Sequence, residues 1–325
     1  MMIITRSVLL AATLSLAVLG PAAAQSDYPN RPVKIVVPYS AGGIVDSIAR
    51  LLGDQLSSMY DQPVVVENKA GAAGAIGMNY VANAPADGYT LMVASPALAV
   101  LPILKETAKW NVAQDYRSIE GLGIVPNVLV VHPSVPAKTM AEFVDLAKKS
   151  DTPLTYATAG LGSSNHLSGE LLVQEAGIKL TEVAYKGQTD ALTDLLTGRV
   201  QMMALTSALA IPYIKEGKLR PLAVTTGKRT VATPDLPTVA EAAQLPNYAV
   251  GTWFGLVTQK KVPDAIVEQL SKDVAEIMAK PEVKAKFDTL GMELDLMGPA
   301  EFDGYLEEEH SKWSKVMKKA GLSIQ

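Results

Sequence analysis

The 325-residue chain contains no cysteine. That excludes thiolate zinc sites, iron–sulfur clusters, a cysteine nucleophile and any disulfide framework. Histidine is almost as scarce: His132, His166 and His310 stand far apart, so an imidazole-rich metal site is not expected and no metal ligand is assigned. Charged residues are only 19% of the chain against 48% hydrophobic, which excludes a disordered acidic or basic tail protein. There is no surplus of positive charge either. Lys+Arg 29 against Asp+Glu 33 leaves a net charge of -4, and an acidic balance repels phosphate backbones, so nucleic acid is not an expected partner. No segment after residue 25 forms an uninterrupted apolar span of membrane length.

What the sequence does have begins with an address. Arg6 precedes an apolar run from Ser7 to Leu19, Pro21 breaks it, and Ala22-Ala23-Ala24 offers small residues to a signal peptidase. Residues 1–24 therefore read as a cleaved signal peptide, and the mature chain as an exported periplasmic protein. No cysteine follows that could be acylated.

The remainder alternates β-branched runs with helical spacing, an α/β pattern. Val33–Val37, Val64–Glu67 and Thr90–Ala94 read as strands separated by helices, and β-α-β-α-β order implies a parallel sheet. A second set starts near Pro126. It opens with NVLVVHP and a helix at Met140–Lys149, then runs through strands Leu154–Ala157, Glu182–Tyr185, Val200–Leu205 and Arg220–Thr225, with helices at His166–Glu175 and Asp190–Thr197 among them. Val250–Thr258 then reads as a strand returning to the first set, and three helices finish the chain, with Pro263 and Pro299 as first-turn prolines. The expected organisation is two Rossmann-like lobes, 25–125 plus 250–325 and 126–249, with a ligand cleft between them.

In such sheets ligands bind where strands give way to helices. The first such loop carries Tyr39, Ser40, Ala41, Gly42 and Gly43. Asp46 follows in the next turn, placed to cap free amides and hold the loop in shape. The second carries Thr158, Ala159, Gly160, Gly162, Ser163 and Ser164, adding hydroxyls to the amides. Ser95, Tyr185 and Lys186 end other strands and are candidates to face the cleft, while Trp253-Phe254 is either pocket wall or core. Four to six hydrogen bonds to a charged ligand at ~1.5 kcal/mol each give roughly 6–9 kcal/mol, against about 8 for micromolar binding, so apolar contacts must contribute as well. His166 beside Ser163 and Ser164 invites a hydrolase reading, but Gly162-Ser163-Ser164-Asn165-His166 does not complete G-x-S-x-G. The blander role for His166 is to brace the loop at the helix start. Neither Gly160-x-Gly162 nor Gly71-x-x-Gly74 completes a dinucleotide fingerprint, and no cofactor is expected.

Taken in order, several segments resemble the Bug-type (TctC-like) extracytoplasmic solute receptors of tripartite tricarboxylate transporters. They are PYSAGGIVD at 38–46, Glu67-Asn68-Lys69-x-Gly71-Ala72-x-Gly74 and Tyr156-Ala157-Thr158-x-Gly160-x-Gly162-Ser163-x-x-His166. AYKG at 184–187 and GKLRPLAV at 217–224 follow. The resemblance implies a type II periplasmic binding fold and a receptor, not an enzyme, that takes a small carboxylate to membrane subunits. It also implies that the Gly-Gly and Thr/Ser loops hold the carboxylate, partly through waters. The expected protein is a monomer, and a receptor serving a membrane kinase or chemoreceptor is the alternative. One departure bears on the ligand: relatives often carry Phe-Asp where this chain has Ala204-Leu205, followed by Thr206. With Leu205 in place of that carboxylate, the resemblance implies a less polar, non-amino-acid ligand, with Leu205 and Thr206 at the site.

Overall fold

The computed structural model describes residues 28–185 and 187–324; the signal-peptide reading and Lys186 lie outside the described residues. Eleven strands are described: β1 Val33–Val37, β2 Val64–Asn68, β3 Thr90–Ala94, β4 Tyr116–Val125, β5 Asn127–Val131, β6 Leu154–Thr158, β7 Leu180–Ala184, β8 Met202–Thr206, β9 Arg220–Val224, β10 Thr252–Gln259 and β11 Glu293–Met297. They form a six-stranded sheet of order β11-β4-β10-β3-β1-β2 and a five-stranded sheet of order β7-β6-β8-β5-β9.

The sheets are mixed, not parallel as expected. β1 runs parallel to β2 and β3, and β6 to β7 and β8, as β-α-β units require. β10, however, pairs antiparallel with β3 and β4, and β5 antiparallel with β8 and β9. These strands enter from the other sheet without a helical crossover from a neighbour, so nothing constrains them to be parallel. β4 runs into β5 through Pro126, which has no N–H to give a ladder and marks the passage between sheets. The chain returns beside that passage: Val250 N–H donates to Thr225 O at 2.8 Å, and Thr252 then registers with Val125.

β4 and β11 were not expected from the sequence, nor were the helices Ala97–Leu104, Ser207–Lys215 and Val239–Ala243. β4 is hidden by its glycines, which a close neighbour requires. Gly123 sits at φ 141°, and a Cβ there would lie 2.2 Å from Glu293 O on β11. Pro263 lies just before its helix, Asp264–Ala279, while Pro299 opens the last helix, Pro299–Lys319.

Apolar residues sort onto the sheet faces. Ile35, Ile48, Leu52, Phe254 and Phe287 share one core of the larger sheet, whereas Val128, Leu195, Met203 and Leu205 share a core of the smaller one. The last helix serves both sheets. Its Phe302 and Leu306 pack with Trp110 and Trp253, and its Trp313 and Met317 join Leu129, Tyr156 and Leu172. Among the described residues no helix is long and apolar enough to cross a membrane.

Candidate functional site

β1 ends at Val37, and the helix Ile44–Tyr60 begins six residues after Pro38. The turn between them depends on Gly42, whose φ of +90° is open to glycine and strained for other residues. Asp46 holds it from the first helical turn. Its Oδ2 accepts Gly42 N–H and Arg50 Nε, each at 2.9 Å, and its Oδ1 accepts Asn68 Nδ2 at 2.9 Å. The Arg50 guanidinium comes first in lowering the Asp46 carboxyl to about 2, with Gly42 and Asn68 adding to it. The Asp46 charge is thus spent on the loop, in the bracing role expected of it. The N–H group of Ala41 makes no hydrogen bond to other described residues, which leaves it to an external acceptor, while Gly43 N–H closes the turn over Ala41-Gly42.

The loop after β6 is braced differently. Thr158 Oγ1 donates to Glu182 Oε1 at 2.7 Å and accepts Gly160 N–H at 3.1 Å. Ser163 caps the helix Ser164–Ala176 by accepting His166 N–H at 3.3 Å, while His166 Nδ1 accepts Gly162 N–H at 3.4 Å. Burial lowers the His166 pKa against the opposing pull of Glu182 and Glu170, favouring the neutral ring, whose Nδ1 can accept. His166 is therefore tied to the loop backbone by the atom a general base would need free. The N–H groups of Ala159 and Leu161 are left without partners among the described residues.

The two loops face a common cavity of about 400 Å³. Of the predicted site residues, Tyr39, Ser40, Gly43, Asp46 and Ser95 line it from the larger sheet, and Ala159, Gly162, Ser163 and Ser164 from the smaller one. Tyr39 Oη and Ser95 Oγ are 3.0 Å apart, joining two of the loops. Ala41, Gly42, Gly160 and His166 shape these loops without forming the wall.

Four predicted residues are placed away from the cavity. Thr158 is fully buried, its hydroxyl committed to Glu182. Tyr185 donates its hydroxyl to Asp194 Oδ2 at 2.8 Å, because its strand ends over the helix that follows. Thr206 is held by Gln188, whose Oε1 accepts its N–H at 3.0 Å and its hydroxyl at 3.2 Å. Leu205 is fully buried in the core with Val128 and Met203. Its side chain is therefore not on the cavity wall, and the ligand preference inferred from it loses its basis.

Several wall residues were not singled out in the sequence: Asn165, Gln188, Ala73 and Thr252 among them. Gln188 belongs to a third strand–helix turn, after β7, and that position was the available signal. Of the Trp253-Phe254 pair, Phe254 lines the cavity and Trp253 is core, donating its indole N–H to Glu309. The wall holds no lysine, arginine or histidine among the described residues. Chemically the wall combines apolar side chains with hydroxyls and the helix-start backbone of two loops, a setting that suits an anion.

Known proteins share this arrangement. The family described as tripartite tricarboxylate transporter family receptor (TctC) matches residues 48–322. The adipate-bound structure of R. palustris Rpa4515 is 35% identical, with TM-score 0.78, over 91% of this chain and 99% of its own. MatC (Rpa3494) from Rhodopseudomonas palustris, with bound malate, is 30% identical with TM-score 0.73, over 89% of this chain and 99% of its own. Protein BugT of Bordetella pertussis is 31% identical over 300 residues, 92% of each chain. With relatives covering nearly its whole length and the family match spanning both sheets, the chain belongs to the TctC family of tripartite tricarboxylate transporter receptors, periplasmic solute-binding proteins of the Bug type.

Proposed function

We propose that this chain is exported to the periplasm, its signal peptide removed after about Ala24. There it captures a small organic carboxylate and delivers it, as a monomer, to membrane subunits of a tripartite tricarboxylate transporter. It catalyses no reaction. One observation carries this reading: a cavity between two sheets is walled by a helix-start loop from each, with N–H groups at Ala41, Ala159 and Leu161 left unpaired in those loops and no cationic side chain on the wall among the described residues. Adipate and malate in the two R. palustris relatives support the ligand class.

The carboxylate is held by peptide donors at the loops after β1 and β6, with the Ser164 hydroxyl on the same wall. Two lobes, 25–125 plus 250–325 and 126–249, close over it. The bending points are the paired chain passages at Val125–Asn127 and Val250–Thr252. Calorimetry with mono-, di- and tricarboxylates tests the reading, with at least one expected to bind in the micromolar range or tighter. Absence of binding by every carboxylate, or turnover of an ester panel, would sink it. The mass of the periplasmic protein tests the export step, with Gln25 expected at its N-terminus.

A further inference from the structure

Asn165 stands in the first turn of the helix Ser164–Ala176, lines the cavity and is 1% exposed. Its Nδ2 donates to the carbonyl of Ala204 on β8, which fixes the orientation of the amide. Its Oδ1 is then committed as an acceptor, and it has no hydrogen-bond partner. Thr252 Oγ1, on the same wall, is likewise buried without a partner. Buried polar atoms are nearly always paired, so an unpaired acceptor at a binding cavity points to a donor on the ligand.

A carboxylate cannot be that donor, since its oxygens only accept and would repel Oδ1. An ammonium brings three donors and a charge. The one carboxylate on the wall among the described residues, Asp46, is already spent on Gly42, Arg50 and Asn68. A hydroxyl brings one donor and can also accept. Gln188, on the same wall, has its Oε1 fixed on the Thr206 N–H and hydroxyl.

We propose that Asn165 is a specificity-determining residue that accepts a hydrogen bond from a ligand hydroxyl, so that the protein selects hydroxy-substituted carboxylates over unsubstituted ones. This rests on the carboxylate reading above. Calorimetry on the purified protein with pairs matched in length (malate and succinate, 2-hydroxyadipate and adipate, 3-hydroxybutyrate and butyrate) tests it. The hydroxylated member of the best-binding pair is expected to bind about tenfold tighter or more, a ratio that Asn165→Leu brings near one.

Equal or tighter binding of the unsubstituted member overturns the proposal while leaving the carboxylate reading intact. That is also the result if a water occupies Oδ1. A preference that survives in Asn165→Leu overturns the role of Asn165. No binding by either member of any pair overturns both readings. If Asn165→Leu does not fold, the ratio in the native protein still decides, and Asn165→Ala gives a smaller perturbation.

Discussion

Trp253 on the returning strand donates its indole N–H at 3.1 Å to Oε2 of Glu309, a buried carboxylate on the last helix. The same oxygen accepts Trp313 Nε1 at 2.9 Å, and Lys312 Nζ meets Oε1 at 3.0 Å while also donating to Ala249 O. One carboxylate thereby joins the strand that re-enters the larger sheet to a helix packed on both cores.

Removing it should be costly, because Glu309→Ala leaves two indole donors unpaired and takes the counter-charge from a half-buried ammonium that keeps only Ala249 O. The expected destabilisation is about 3 kcal/mol or more, read from urea unfolding. Glu309→Gln keeps one acceptor and should lose roughly half as much. A change below about 0.5 kcal/mol in Glu309→Ala would show that the cluster does not hold the strand to the helix.

Asp46 ties loop shape to pH. Its carboxyl is depressed from 3.8 to about 2, so its contribution is complete above the unfolded value and fades as pH falls through the folded one. Arg50 is half exposed and solvent screens that pair, so the contribution is on the order of 1–2 kcal/mol. Thermal melts of native protein and Asp46→Asn should differ near neutral pH and converge between about pH 4 and about pH 2. Ligand affinity of Asp46→Asn should fall about tenfold, since Gly42 N–H loses its charged partner. Parallel melting curves at all pH values would refute the role given to this carboxylate.

His166 should act in a higher pH window. Burial lowers its pKa below the ordinary 6.5, so the unfolded chain binds the proton more readily and stability declines as pH drops below that value. The decline is at most about 1.4 kcal/mol per pH unit. His166→Gln keeps an acceptor for Gly162 N–H without titrating, and its stability between about pH 7 and about pH 5 should slope less. Identical slopes in the two proteins would place His166 outside this linkage.

Much of the fold was legible because local rules and burial agree. VKIVV is β-branched at every position but Lys34 and forms β1 as expected, and the helix Met140–Lys149 matches its predicted bounds. Gly177, at φ 62°, stops its helix where predicted. β4 was not legible, because YRSIEGLGIV mixes glycine and charge for reasons that lie on another strand. The ALAVLPIL helix, uniformly apolar and interrupted by Pro102, carries no helical period to read.

The site divides in the same way. Glycines at 42, 43, 160 and 162, with Asp46 and Ser163 at helix starts, announce two anion-seeking loops, since backbone freedom and capping are properties of a few consecutive residues. Which side chains face the cavity is a property of strand alternation and of contacts between distant segments. Leu205 turned into the core, Tyr185 toward Asp194, and Thr252 came to the wall from a strand far along the chain. The sequence alone determined where the peptide donors lie. Only the tertiary structure decided which buried polar atoms of wall residues, Asn165 Oδ1 above all, are left without a partner, because pairing depends on what the rest of the chain brings within about 3 Å.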